Sequence, residues 1–342
     1  MINVGVIGYG YWGPNLVRNF SECDQLRVTA VADRDPARLA LAKKRFPSIE
    51  TTTAFSDLVN SPDTDAIAIA TPVSSHFELA LQALKAGKHV FIEKPLTETS
   101  EQAKQLIEQA DKQGLLLHVD HTFLYTGAVR KMRSLVQEGE LGTLYYYDSV
   151  RVNLGLFQPD VDVIWDLAVH DLAIMDHVFS SKAVSVSAAG TSHLEGKPTN
   201  VAFLTVFFED NAIAHLHVNW LAPVKIRRTL IGGSRKMIVY DDLEASEKVK
   251  VYDKGVTLED ASDEAYERRV GYRTGDMWAP KLDVAEALGV EAEHFAHCIQ
   301  HGTPSLSDGQ AGLRVVQILE SASRSLAERG RPVKLGWKGR GV

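Results

Sequence analysis

The chain of 342 residues is 45% hydrophobic and 24% charged, too apolar for a disordered chain and too evenly mixed for a membrane protein. Its 37 Lys+Arg against 44 Asp+Glu leave a net charge of -7, which excludes a global attraction for nucleic acid or anionic lipid. Two cysteines, Cys23 and Cys298, exclude a disulfide framework and a Cys-based zinc site.

At roughly 150 residues per domain, this length predicts about two domains. The apolar start, Ile2 to Ile7, runs straight into Gly8 with no basic leader or cleavage signature. No stretch approaches ~18 consecutive apolar residues. The expectation is a reducing, cytoplasmic setting without membrane association. Val4-Gly5-Val6-Ile7 reads as a buried strand, and Pro14 opens the helix after it. Residues 26–32 form the next strand, and Asp35-Pro36 opens a helix running through Phe46. Residues 66–70, apolar throughout, read as a strand covered on both faces. A helix over 77–86 stops at Gly87, a strand spans 89–92, and a helix over 99–113 ends at Gly114 before a strand at 115–119. Strands alternating with helices predict an α/β Rossmann domain, a doubly wound parallel sheet, over residues 1–121.

The pattern then changes. A helix at 128–137, a strand at 143–152 and a helix at 164–179 precede strand runs at 184–189, 201–208, 212–220, 225–231, 236–240 and 248–252. Short polar turns join these runs, so antiparallel pairing is the natural reading. Helices near 283–301 and 308–328 close the chain. Residues 122–342 are thus expected to be an α+β domain for substrate binding and oligomerisation, with an open, mainly antiparallel sheet. An open sheet face has to be buried, which predicts a homodimer or homotetramer formed sheet to sheet. The basic tail, Arg329, Arg331, Lys334, Lys338 and Arg340, reads as a solvated terminus.

Gly8-Tyr9-Gly10-Tyr11-Trp12-Gly13 fits G-x-G-x-x-G, with a strand before it, a helix after it, and Asp33 ending the next strand 20 residues beyond Gly13. Gly8 permits the tight turn, Gly10 lets backbone approach a pyrophosphate, and Gly13 lets helix pack on strand. The helix N-terminus offers N–H groups and a positive dipole end to the phosphates. A carboxylate at Asp33 accepts from a ribose 2′-hydroxyl and repels a 2′-phosphate, which argues for NAD; Arg34 beside it leaves NADP open. Tyr11 and Trp12 either flank the cofactor or pack against the sheet edge.

Glu93-Lys94-Pro95 follows the fourth predicted strand, at the carboxyl end where open α/β sheets bind ligands. In Trp165-Asp166-Leu167-Ala168-Val169-His170, Asp166 and His170 are four apart, on one face of a helix. Together Lys94, Asp166 and His170 suit oxidation of a secondary alcohol. The imidazole takes the hydroxyl proton, the carboxylate stabilises the imidazolium, and the ammonium hydrogen-bonds the oxygen as charge develops.

These motifs, with Ala70-Thr71-Pro72 and His76, resemble the Gfo/Idh/MocA oxidoreductase family over essentially the whole chain. The resemblance implies Lys94, Asp166 and His170 as the catalytic set. It implies cofactor contacts at Thr71, Pro72, His76, Glu93, Lys94 and Trp165, and a Lys94–Pro95 peptide bond in cis. His121-Thr122-Phe123-Leu124-Tyr125, Val152-Asn153 and the segment 220–227 resemble a branch acting on sugar nucleotides. That branch implies oxidation at C3 of a UDP-2-acetamido sugar such as UDP-N-acetylglucosamine, feeding an aminotransferase in surface-polysaccharide or lipopolysaccharide synthesis. His121, Tyr125, Asn153 and Arg227 join Lys94, Asp166 and His170 as candidates for holding substrate; each of the four has a structural reading as well. Alternatives are an inositol or polyol dehydrogenase, an NAD-dependent glycoside hydrolase using transient C3 oxidation, and an NAD-sensing regulator without activity. His294, His297 and His301 read as a helix face, and no metal is called for. NAD and a UDP-sugar are both anions, so local features must hold them against the negative balance: the helix after Gly13, Lys94 and Arg227.

Overall fold

The computed structural model describes residues 1–155, 161–259 and 269–336. Lys338 and Arg340 of the basic tail lie outside the described residues. The chain begins with β1 (Ile2–Ile7), α1 (Gly13–Glu22), β2 (Leu26–Ala32), α2 (Pro36–Arg45), β3 (Glu50–Thr52), α3 (Phe55–Asn60), β4 (Ala66–Ile69), α4 (His76–Lys85), β5 (His89–Glu93), α5 (Ser100–Gln113) and β6 (Leu117–Asp120). It continues with α6 (Gly127–Gln137), β7 (Leu144–Leu154), a π-helical turn (Ile164–Ala168), α7 (Val169–Val178), β8 (Ala183–Thr191), β9 (Val201–Phe208), β10 (Ile213–Asn219), β11 (Leu221–Gly233), β12 (Met237–Asp241), β13 (Val249–Glu259) and β14 (Arg269–Trp278). Helices α8 (Ala287–His301) and α9 (Gly309–Ala327) and the short β15 (Val333–Lys334) complete it.

Two compact units result. The first comprises Met1–Thr126 and Ala285–Glu320; the second comprises Gly127–Val284 and the chain from Ser321 on. The single cut at 121/122 expected from sequence therefore assigns α8 to the wrong unit. The reason is packing. Phe295 of α8 sits 5.4 Å, ring to ring, from Phe91 of β5 and 6.3 Å from Phe20 of α1, so the apolar face of this late helix completes the first core. A helix buries its stripe wherever an apolar surface faces it, whatever its place in the chain.

Within the first unit, strands β3-β2-β1-β4-β5-β6 form a parallel sheet. All four residues of β4 are fully buried, as the unbroken apolar run required. Helix boundaries follow local chemistry. Asp35 caps α2 by accepting from the Ala37 N–H, a Thr99/Gln102 capping box starts α5, and Gly114 ends it at φ 64°. The polar β3 and the six-residue α3 were not foreseen, because neither carries an apolar periodicity. The strand order reverses at β1/β4, which opens a crevice at the carboxyl ends of those strands, where the Gly8–Gly13 turn lies.

In the second unit the described strands order as β14-β13-β12-β11-β7-β10-β9-β8-β15. Pairing is antiparallel except between β7 and β10, which run parallel. The sheet is thus mainly antiparallel, as expected, with one parallel pair near its centre. There α7, β8 and β9 intervene, a connection long enough to return the chain in the same direction. The segment expected at 248–252 extends into the longer β13, and its partner β14 was not anticipated. The helix expected at 164–179 is instead a π-turn followed by α7.

Candidate active site

The first unit carries a nucleotide cradle whose glycines are required by space. Gly8 has φ 97°, and a Cβ there would meet the Ala70 carbonyl oxygen at 2.4 Å. A Cβ on Gly13 would meet the Gly8 carbonyl oxygen at 2.1 Å, so the turn closes only without side chains. Trp12 gives α1 no side-chain cap, and its indole N–H donates instead to Asp120 Oδ2 at 2.7 Å. Tyr11 projects into solvent.

Asp33 is preset for a ribose. Its Oδ2 accepts the Tyr9 N–H at 2.7 Å and its Oδ1 accepts the Asp35 N–H at 2.9 Å. Arg38 of α2 lies 3.7 Å from Asp33 Oδ2, and its guanidinium is 3.3 Å from where a Gly10 Cβ would stand. The sequence reading named Arg34 and missed Arg38, which reaches Asp33 from the first turn of α2 only once the chain is folded. A turn this tight, with a fixed acceptor at Asp33 and the N-terminus of α1 beside it, fits NAD. Asp33→Ser is expected to lower the ratio of NAD to NADP kcat/KM by about ten- to a hundredfold, the order of a charge-assisted hydrogen bond. An unchanged ratio would remove Asp33 from cofactor choice.

At the carboxyl end of β5 the Lys94–Pro95 peptide bond is cis. His76 is buried, with Nε2 2.8 Å from the Thr71 carbonyl oxygen and Nδ1 2.9 Å from that of Pro95. Burial holds its pKa below the ordinary histidine value despite these carbonyls. His76 sits between the Thr71-Pro72 loop and the Lys94 turn, its one N–H donating to one of the two carbonyls, and Ser75 braces the loop by donating to Thr71 Oγ1 at 2.8 Å. His121, just past β6, is 2% exposed, and among the described residues neither ring nitrogen has a hydrogen-bond partner. Burial first, and the Lys94 ammonium second, push its pKa down to about 3. A neutral imidazole with two orphaned nitrogens is costly unless a ligand meets it. Tyr125 is enclosed, its ring 6.1 Å from that of His118 and 5.5 Å from that of His294.

The second unit presents Asp166 and His170 from the π-turn and the start of α7. π-turns inside helices are frequent at functional sites. The half-buried Asp162 carboxylate starts this one by accepting the Ile164 and Trp165 N–H groups at 2.9 and 3.0 Å. Trp220 Nε1 donates to Asp166 Oδ2 at 3.1 Å, a partner the sequence did not reveal. Trp165 Nε1 donates to Ser323 Oγ at 2.9 Å. Behind His170, the buried Asp171 receives a two-pronged bond from Arg151 of β7, with Nε at 2.7 Å and Nη2 at 3.1 Å. Asn153 lies half-buried on β7, and Arg227 of β11 pairs with Asp242 at 3.2 Å. Burial works against the Asp242 carboxylate, but Lys248 and Arg227 hold its pKa below the usual range.

On α8, His294 accepts the Leu306 N–H at 3.0 Å and the His297 and His301 rings stack at 4.2 Å. Among the described residues no group of three or more His, Cys, Asp or Glu side chains is placed to hold a metal ion, and no helix is long and apolar enough to cross a membrane.

Two family models match the chain: the Gfo/Idh/MocA oxidoreductase family, NAD-binding Rossmann fold, over residues 2–121, and the Gfo/Idh/MocA C-terminal domain over residues 129–239. UDP-N-acetylglucosamine 3-dehydrogenase of Acidithiobacillus ferrooxidans is 28% identical over 327 residues, spanning 92% of this chain and 94% of that protein. Its solved structure superimposes with a TM-score of 0.78, covering 96% of this chain and 98% of that one at 25% identity. The NADP-dependent scyllo-inositol 2-dehydrogenase of Bacillus subtilis is 27% identical over 247 residues, 68% of this chain and 63% of its own. The chain belongs to the Gfo/Idh/MocA oxidoreductases, and its residues 2–121 are that family's NAD-binding Rossmann domain.

Proposed function

We propose that this enzyme oxidises the C3 alcohol of a UDP-linked 2-acetamido sugar such as UDP-N-acetylglucosamine. One observation carries the reading: the similarity to UDP-N-acetylglucosamine 3-dehydrogenase runs nearly end to end through both chains. The bound nicotinamide supplies the carbon that takes the hydride. The rest falls to this chain's side chains. Lys94 donates to the substrate oxygen and stabilises the negative charge developing there. His170 accepts the hydroxyl proton as C3 loses hydride, leaving a 3-keto sugar. Asp166, steadied by the Trp220 indole, favours the imidazolium that forms.

Thr71 and Glu93 flank the nicotinamide riboside, and the first turn of α1 takes the pyrophosphate. His121 offers its neutral imidazole to the ligand, and Asn153 is a further polar candidate for holding substrate. Tyr125 shapes the site from behind, since its ring is enclosed. Arg227 supports the sugar diphosphate with a charge partly balanced by Asp242. A 3-keto product suits a following transamination, and a homo-oligomer is the expected assembly.

Polyol oxidation is the rival, favoured by the similarity to scyllo-inositol 2-dehydrogenase. A panel of UDP-sugars and polyols, monitored by NADH absorbance, separates them. NADH formed with UDP-N-acetylglucosamine and not with inositol supports the proposal; the reverse overturns it. Cleavage of the UDP-sugar without NADH accumulation would identify a hydrolase instead.

A further inference from the structure

We propose that Glu291 of α8 carries a proton and donates it to the Asp120 carboxylate, making it a positioning residue for the Trp12 side of the NAD cradle. The first unit encloses a cluster of Glu291, His118 and Asp120, each 2% exposed or less. Asp120 ends β6. Its Oδ2 accepts the Trp12 indole N–H at 2.7 Å, and its Oδ1 accepts the Thr122 hydroxyl. Glu291 is 0% exposed and lies against Asp120 within side-chain hydrogen-bond reach.

The other side of Glu291 meets His118. Oε1 is 2.9 Å from His118 Nε2, while Oε2 has no donor directed at it among the described residues. His118 Nδ1 is 2.8 Å from Ser305 Oγ, which itself accepts the Ser307 N–H at 3.0 Å. The Ser305 hydroxyl keeps its own hydrogen and gives it to His118 Nδ1, because the opposite tautomer would leave the Glu291 and Asp120 carboxyl groups meeting with no proton between them. A neutral His118 then carries its single proton on Nε2 and gives it to Glu291 Oε1. Oε1 becomes the carbonyl oxygen of a carboxylic acid, and the Oε2–H is left to bond Asp120. Every donor in the chain meets one acceptor.

Charge supports the same assignment. Burial first, then the neighbouring Asp120 and Glu93 carboxylates, push the Glu291 pKa well above the usual carboxylate range. The imidazoles of His118, His121 and His294 are held neutral by burial, and none offers a compensating cation. Tyr125 also faces Glu291, and burial raises its phenol far above neutrality. Two adjacent carboxylates in such a place share one proton rather than both ionising. Asp120 keeps the charge because the Trp12 N–H and Thr122 O–H point at it. The chain Ser305–His118–Glu291–Asp120–Trp12 thereby links the late α8 segment to the residue just before α1.

The test measures NAD binding by isothermal titration and is independent of the sugar. Glu291→Ala is expected to raise the NAD dissociation constant about tenfold, the order of one buried hydrogen bond left unmade. Glu291→Gln is expected to rescue it, since an amide accepts from His118 and donates to Asp120 as the acid does. Trp12→Phe should weaken NAD similarly, and Trp12→Phe combined with Glu291→Ala should cost little more than either alone. Difference infrared spectra of the wild type against Glu291→Gln should show a protonated carboxylic acid C=O band that the variant lacks. Absence of that band, or NAD binding as weak in Glu291→Gln as in Glu291→Ala, overturns the proposal. The infrared readout uses only the wild type and the isosteric variant, so it stands even where Glu291→Ala fails to fold.

Discussion

Replacing His170 by alanine is expected to lower kcat by about a hundred- to ten-thousandfold, the contribution of a positioned acid–base group. The NAD dissociation constant should change less than about twofold, because the cradle of Gly8, Gly13 and Asp33 is built in the first unit and His170 belongs to the second. Lys94→Ala should lose a similar share of turnover, about a hundred- to a thousandfold, by removing the donor aimed at the developing oxyanion. Steady-state NADH formation gives kcat, and titration with NAD gives affinity. Near wild-type turnover in either variant would take that residue out of the mechanism. A loss of NAD affinity matching the loss of kcat would move its role from chemistry to cofactor binding.

The second large effect is expected at Arg151. Its guanidinium and the Asp171 carboxylate are both about 5% exposed, and the pair joins the central strand β7 to the first turn of α7. Arg151→Met leaves the Asp171 carboxylate buried without its cation, which costs about 3–5 kcal/mol. Urea denaturation should show this as a lower midpoint at unchanged slope. Adding Asp171→Asn should restore part of the loss, since what hurts is the stranded charge rather than the missing pair. An unshifted midpoint in Arg151→Met would show that the pair contributes nothing to stability. Asp171 directly follows His170, so the single variant should also lose turnover while still folded at low temperature.

Much of this was legible in the chain itself. The Gly8–Gly13 turn, Asp33 and the strand–helix alternation are local patterns, and Gly8 and Gly13 stand where a Cβ would strike neighbouring backbone. Asp35, Thr99 and Gly114 bounded their helices for the same local reason. What escaped had no local signature. Trp220 reaches Asp166 across 54 positions, Arg151 reaches Asp171 across a strand and a helix, and Glu291 meets His118 173 residues away. Nor could the sequence show that Tyr125 is enclosed, or that Arg38 stands over Gly10 beside Asp33.

The sequence by itself determined the family, the two-part plan, the dinucleotide turn and the three residues proposed for the chemistry, because motif spacing and strand–helix alternation are properties of neighbouring residues. Only the tertiary structure decided that α8 completes the first core, that β7 and β10 run parallel, and that a π-turn carries Asp166. It also decided which buried carboxyl is surrounded by donors and which must supply one, since burial and hydrogen-bond partners depend on segments that meet only after folding.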